Sequence, residues 1–302
     1  MTAAVPQGQD LRFMTAALEL ARRGLGDVWP NPAVGCVVVR DGVVVGRGWT
    51  QPGGRPHAET EALKRAGDAA RGATAYVSLE PCSHHGKTPP CAEALIAAGI
   101  TRCVVACGDP DPRVSGRGIA ALRAAGIAVD AGLLAAEARA LNQGFFLRVE
   151  HGRPLVTLKL ATSLDGRIAT RSGHSQWITG GTARAWSHGL RARHDAILVG
   201  VGTAQADDPE LTCRLPGLAH RSPVRVVADS HLSLSLTAKL VQGARRVPLW
   251  IACRSDADPA RLRAFSDGGA GLLTIDDGAP GTIAAASLLA ALAARGITRV
   301  LV

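Results

Sequence analysis

One histidine, one glutamate and two cysteines have the types and spacing of a hydrolytic metal site. They are His57 and Glu59 in His57-Ala58-Glu59, and Cys82 and Cys91 at the ends of Cys82-Ser83-His84-His85-Gly86-Lys87-Thr88-Pro89-Pro90-Cys91. An imidazole and two thiolates supply three of the ligands that Zn2+ takes, and a catalytic zinc keeps a fourth position for water. Bound Zn2+ lowers the pKa of that water from ~15.7 towards ~7, so the implied chemistry is hydrolysis at neutral pH. Glu59 sits two residues past His57, badly placed to be a fourth ligand on the same helix face and well placed to carry protons. The same set also suits a structural zinc site, which closes with four ligands; His84 or His85 would then be the fourth.

The elements that must position these groups read from the pattern. Residues 57–66 are helical, so His57 stands at a helix N-terminus. Residues 73–79 read as a strand that delivers Glu80-Pro81-Cys82. Pro89-Pro90 precedes a helix over 91–98, since proline favours a helix's first turn. Helix dipoles and free N–H groups at such termini stabilise a thiolate. Upstream, 11–23 is an amphipathic helix ended by Gly24, with Leu11, Met14, Leu18 and Ala21 on one face. Val-rich strands at 34–40 and 43–49 are joined at Asp41-Gly42, a hairpin signal. A strand at 102–106, a polar loop over 108–118, a helix over 119–125 and a short strand complete an alternating α/β unit. Cys36, Cys103 and Cys107 fall in apolar strand-like runs and read as small core residues. Residues 135–149 read as a linking helix, with a boundary at His151-Gly152-Arg153-Pro154. Beyond it, strands at 155–161, 196–201, 224–228, 249–252, 272–275 and 299–302 alternate with helices, again α/β.

Composition bounds the rest. The 302 residues are 47% hydrophobic and 20% charged, as in a globular protein of about two domains. No apolar run reaches ~18 residues, so no membrane span is expected. The first ten residues lack a basic segment followed by an apolar one, so no secretory signal is visible and a reducing cytoplasm is expected. There, Cys82 and Cys91 are metal ligands and not a disulfide. The net charge of +9 suits a phosphorylated metabolite or an Arg-rich surface with no specific partner. Nucleic acid is disfavoured because the cations are dispersed and only 3% of residues are aromatic.

His-x-Glu with Pro-Cys-x-x-Cys is the signature of zinc nucleobase deaminases, which displace an exocyclic amine from a ring carbon as ammonia. This chain keeps His57-Ala58-Glu59 and Pro81-Cys82 but spaces its cysteines by eight residues. With Ser-His-His-Gly-Lys-Thr-Pro-Pro between them, the stretch resembles the bifunctional riboflavin-biosynthesis deaminase/reductase family. The resemblance implies a cytidine-deaminase-like three-layer domain over residues 1–147, with one Zn2+ on His57, Cys82 and Cys91 and with Glu59 as the proton carrier. It places Asn31 against the pyrimidine, and His84 and Lys87 against substrate and its phosphate. A mobile lysine cation suits that last role.

No Gly-x-Gly-x-x-Gly follows any strand of the second half, so the residues alone do not point to a nicotinamide cofactor. The resemblance does. The runs 157–166, 175–179, 200–203 and 206–214 look like the family's reductase, implying a dihydrofolate-reductase-like α/β domain over 153–302 that uses NADPH. Thr162, Trp177, Thr203, Asp207 and Ser230 correspond to NADPH contacts. Ser175, Arg191, Leu211 and Arg214 correspond to contacts with the sugar phosphate, where guanidinium forks pair with oxygens.

Family members continue past a strand like 298–302 with an acidic residue and a Gly-rich segment over NADPH, then further strands and helices. The sequence stops at the lip of that segment. The expectation is an exposed sheet edge, a thinner phosphate cradle and a weakened or inactive reductase beside a complete deaminase. The other reading is that the natural protein is longer. The expected activity is riboflavin-pathway deamination of a small phosphorylated pyrimidine, then NADPH reduction of its ribosyl group, by a homo-oligomer. The alternatives are a deaminase alone, a nucleic-acid or free-base deaminase with an unrelated appendage, and a non-catalytic zinc scaffold.

Overall fold

The computed structural model describes residues 7–84, 89–279 and 281–302. The chain forms two compact units, Met1–His151 and Gly152–Val302. In the first, the elements run α1 (Gln7–Ala21), β1 (Gly35–Arg40), β2 (Val43–Trp49), α2 (Ala58–Ala66), β3 (Thr74–Val77), α3 (Cys91–Ala97), β4 (Arg102–Val105), α4 (Arg117–Ala124), β5 (Ala128–Ala131), α5 (Ala135–Leu141) and α6 (Gln143–His151). The sheet order is β2-β1-β3-β4-β5. β1 is antiparallel to β2 and β3, while β3, β4 and β5 run parallel.

Period-two alternation explains why β1 is apolar almost throughout. Cys36 and Val38 face one core with Ala58, Ala62, Leu95 and Leu122, whereas Val37 and Val39 face the other with Phe13, Met14 and Leu18. A strand covered on both faces reads as a continuous apolar run. Cys103 also packs in the first core. The hairpin turns at Asp41 and Gly42, both with positive φ, as a tight two-residue connection requires.

Helix α2 lies almost in backbone contact with β2. A Cβ at Gly46 would fall 2.2 Å from the Ala62 carbonyl oxygen, and one at Gly48 2.3 Å from that of Ala58. Only glycine allows this approach, and it sets the height of the turn that carries Glu59.

The single helix expected over 135–149 is two helices, α5 and α6, separated at Asn142. Asn142 is buried. Its Oδ1 accepts from the Ala33 amide and its Nδ2 donates to the Ala33 carbonyl, both at 2.9 Å. That tertiary bond breaks a stretch whose local composition favours helix. As a result, α6 packs into the first unit instead of acting as a free linker.

The second unit runs β6 (Leu155–Thr157), α7 (Gly181–Arg191), β7 (Ala196–Gly200), α8 (Val201–Asp207), β8 (Val224–Ala228), α9 (Lys239–Gln242), β9 (Leu249–Cys253), α10 (Pro259–Asp267), β10 (Gly271–Thr274), α11 (Ala285–Ala294) and β11 (Arg299–Leu301). Its strands are all parallel, in the order β10-β9-β8-β7-β11-β6. Ile197, Val227, Ile251 and Leu301 meet Leu240 and Phe265 in the core. Among the described residues the sheet edges are β10 and β6, and the last strand lies inside, between β7 and β6. The strand expected over 155–161 ends at Thr157, and beyond it Leu158 and Leu160 are exposed. No helix among the described residues is long and apolar enough to cross a membrane.

Candidate active site

His57 is the N-cap of α2, Cys91 opens α3, and Cys82 lies beyond the end of β3. Three elements therefore converge. His57 Nδ1 lies 3.3 Å from Cys91 Sγ and 3.6 Å from Cys82 Sγ, and the three donor atoms lie within 4.8 Å of one another. Tetrahedral zinc, with bonds of about 2.1 Å to nitrogen and 2.3 Å to sulfur, holds such donors about 3.5 Å apart. The donor set therefore fits Zn2+. The Cys91 amide donates to Cys82 Sγ at 3.2 Å, and the Ala92 amide to the Cys82 carbonyl at 3.1 Å, so the first turn of α3 holds both thiols. Among the described residues the metal-compatible group contains His57, Cys82 and Cys91, and His84 does not join it; His85, the other fourth ligand considered, lies outside the described residues.

Glu59 is buried one residue inside α2. Burial pushes its carboxyl up to about 7, against the opposing pull of the His57 charge. A group poised there both takes and returns protons near neutrality. The Cys82 thiol is held down to about 4, first by its hydrogen bond with Cys91 and also by that with His57. Cys91 is pushed well up by the same Cys82 contact and by burial, and His57 is raised, first by Cys82. One thiolate thus forms readily in this cluster, the state in which a thiol binds metal.

His57, Glu59 and Cys82 line a cavity of about 210 Å³, with Cys91 buried behind them. Asn31 and His84 line it too. Asn31 Nδ2 donates to the Gly54 carbonyl at 3.2 Å. Gly54 has positive φ, and a Cβ there would lie 1.8 Å from that same nitrogen, so the loop seats Asn31 on a glycine. The Nδ1 of His84 is buried and has no hydrogen-bond partner among the described residues, beside the cavity. Lys87 lies outside the described residues.

Several lining residues escaped the sequence reading. Asp109, Asp111, Arg113 and Val114 come from the loop read only as polar, and Phe145, Arg148 and Val149 come from α6. Arg55 and Glu80 flank the ligand segments. Burial pushes Asp109 up to about 6. Arg113 pairs with Asp111 through both carboxylate oxygens. Glu80, next to Pro81-Cys82, was the one of these whose position in sequence was already a signal.

In the second unit the anticipated contacts are spread along the carboxyl ends of the strands. Thr203 stands on α8 directly after β7, and Ser230 follows β8. Asp207 closes α8, and Thr162 lies beyond β6. This edge of a parallel sheet is where open α/β folds bind nucleotides, so the placement of these residues fits NADPH. Thr162, Ser175 and Trp177 are exposed, and Trp177 stacks under the Arg184 guanidinium at 4.5 Å.

Arg191, Leu211 and Arg214 do come together. The Arg191 guanidinium donates to the Thr212 carbonyl at 2.8 Å, and the Arg214 amide donates to His188 Nδ1 at 3.2 Å. Burial and then the Arg214 charge lower the pKa of Arg191, and burial and then both arginines lower that of His188. Arg214 also pairs with Glu210 at 3.6 Å, and an anion between the two arginines would relieve the remaining repulsion. His188, absent from the sequence reading, belongs to this cluster.

Residues 7–107 match the cytidine and deoxycytidylate deaminase zinc-binding region, and residues 154–302 match the RibD C-terminal domain. The riboflavin biosynthesis protein RibD of Escherichia coli K12 is 50% identical over 245 residues, covering 78% of this chain and 67% of that protein. The RibD of Bacillus amyloliquefaciens is 49% identical over 247 residues, covering 82% and 66%. The chain thus spans about two thirds of the length of these curated relatives. Among solved structures, Acinetobacter baumannii RibD superposes with a TM-score of 0.86 at 42% identity, covering 97% of this chain and 80% of that one. A diaminohydroxyphosphoribosylaminopyrimidine deaminase/5-amino-6-(5-phosphoribosylamino)uracil reductase from Thermotoga maritima does so with 0.85 at 38%, with the same coverage. With the zinc-binding deaminase region first, the RibD reductase domain second and a shared backbone along nearly its whole length, the chain belongs to the RibD family of riboflavin-biosynthesis deaminase/reductases.

Proposed function

We propose that the first unit, which with α6 runs to residue 151 and so past the 147 expected from sequence, hydrolytically deaminates 2,5-diamino-6-(ribosylamino)-4(3H)-pyrimidinone 5'-phosphate. Residues 153–302 then reduce the product, 5-amino-6-(5-phosphoribosylamino)uracil, to its ribitylamino form. The observation that carries this reading is the donor triangle of His57, Cys82 and Cys91 with buried Glu59 beside it at one cavity. Zn2+ held by those three residues supplies an activated water. Glu59 accepts a proton from the attacking water and passes it to the pyrimidine ring nitrogen, then takes the proton of the added hydroxyl and passes it to the departing amine, which leaves as ammonia as the carbonyl forms. Asn31 orients the ring, and the Nδ1 of His84 takes a substrate hydrogen bond. Lys87, together with Arg55, Arg113 and Arg148 of the cavity lining, receives the phosphate.

In the second unit Arg191 and Arg214 hold the sugar phosphate, with Ser175 and Leu211 completing the contact. That anchoring fixes C1 of the opened, imine-like ribosyl group for reduction. Thr162, Trp177, Thr203, Asp207 and Ser230 hold NADPH, which supplies the hydride. Operation in the cytoplasm and assembly into a homo-oligomer belong to the same proposal and rest on family membership.

The test is a two-stage assay on the purified, zinc-loaded chain. The diaminopyrimidinone phosphate is supplied with and without NADPH, and ammonia release and NADPH oxidation are followed separately. Ammonia in both cases, with NADPH oxidation following it, is expected. A folded, zinc-loaded chain that releases no ammonia overturns the reading.

A further inference from the structure

The Glu80 side chain is 3% exposed, one residue before Pro81-Cys82, and makes no salt bridge among the described residues. Its carboxylate is instead filled by backbone. Oε1 accepts from the amides of Gly118 at 3.0 Å and Ile119 at 3.2 Å, and Oε2 from those of Gly116 at 3.0 Å and Asp109 at 3.3 Å. Three of these amides belong to the N-terminus of α4, so Glu80 caps that helix from another segment. The fourth opens the loop whose Asp109, Asp111, Arg113 and Val114 form one wall of the deaminase cavity. The two segments also touch backbone to backbone, since a Cβ on Gly118 would fall 2.0 Å from the Pro81 carbonyl oxygen. Hence one side chain joins the turn that presents Cys82 to the wall that faces the substrate.

We propose that Glu80 is a positioning residue for deamination. It holds the 109–114 wall in register with the metal-ligating turn, and through that wall it sets substrate affinity. This rests on the deaminase reading above. The carboxylate itself takes no part in the bond changes, because its lone pairs are spent on four N–H donors.

Glu80→Gln tests it. The carboxamide keeps one acceptor and turns the other end into a donor facing two N–H groups. Amide hydrogen exchange at Asp109, Gly116, Gly118 and Ile119 should quicken by at least about tenfold. KM, and Kd by titration calorimetry, for the diaminopyrimidinone phosphate should rise at least about tenfold while kcat changes by less than about threefold. Zinc should stay at one per chain. Glu80→Asp keeps the charge but reaches only one amide pair, so it should fall between wild type and Glu80→Gln. It also carries the test if Glu80→Gln does not fold. Faster exchange with unchanged Kd and KM would make Glu80 merely structural and overturn the proposal, as would unchanged exchange. Zinc loss in parallel with the rise in KM would assign Glu80 to the metal instead and overturn it equally. A wild-type chain that releases no ammonia removes the deaminase reading, and the exchange and calorimetry then decide on the clamp by themselves.

Discussion

The two units hold their chemistry in opposite ways. In the first, three element ends gather His57, Cys82 and Cys91 into one cluster, and His57, Glu59 and Cys82 line one cavity. In the second, Thr162, Ser175, Trp177, Thr203 and Asp207 are exposed on segments that follow β6 and β7, and the Arg191–Arg214 cluster is more compact. A metal site must bring its ligands within a few ångströms of each other whether or not substrate is present. A dinucleotide is long, and the residues that grip it need only lie along its length. The first site is assembled by the fold; on the function proposed above, the second would be completed by its ligand.

This contrast can be broken most sharply at Glu59. Glu59→Gln keeps the shape and removes the proton carrier. Deamination should fall by about 10²–10⁴-fold, with zinc content unchanged by metal analysis and with NADPH oxidation intact when the deaminated product is supplied. Loss of both activities would mean that the units are not independent in function. Next comes Cys82→Ser, which should cost the chain most of its zinc and all measurable ammonia release, again with reduction of supplied product preserved. In the second unit, Arg191→Lys and Arg214→Lys should each raise KM for the phosphorylated product by about 10–100-fold, the worth of a charge-assisted fork. An unphosphorylated product analogue should be insensitive to either change.

The smallest effect is expected at Asp10. Its carboxylate accepts from Arg102 at 2.9 and 2.8 Å and from the Tyr76 hydroxyl at 2.6 Å, tying α1 to the first sheet. Arg102 holds the Asp10 carboxyl below its ordinary range, against the opposing push of burial. A pKa lowered by folding contributes stability that is present above the unfolded value of ~3.9 and is lost as pH falls through the folded one. Asp10→Asn should therefore cost about 1 kcal/mol at pH 7, at the low end for a charged hydrogen bond because the group is partly solvated. The deficit should fade in urea titrations as pH falls below the unfolded value of ~3.9 and through the lower folded one.

How far the sequence could be read follows the same division. The ligand triangle was legible because zinc restricts residue type and spacing, and the Asp41-Gly42 hairpin because positive φ restricts turn residues. The break at Asn142 was not, since its cause is a hydrogen-bonded partner at Ala33, far away in sequence. Nor was the cavity wall at Asp109–Val114: a Gly-Asp-Pro-Asp-Pro stretch reads as a solvated loop, and its tie to the buried Glu80 through the Asp109 amide is a tertiary contact that the local sequence does not show. In the second unit, arginines and threonines carry no spacing of their own, so their roles came from family likeness. His188 went unnoticed there for the same reason.

The placement of β11 between β7 and β6 has a consequence for how the second unit comes into being. Strands β7, β8, β9 and β10 are each neighbours of the next in both sequence and space, so they can be laid down one after another as the chain is synthesised. Among the described residues strand β6 pairs only with β11, Leu155 standing opposite Arg299. That pairing must wait until residues 299–301 have left the ribosome. Pairings between such distant segments are slow to form. The deaminase unit, whose strands all precede residue 132, can be folded by then. The order of synthesis thus gives the nascent chain a finished first enzyme while the second still lacks its keystone.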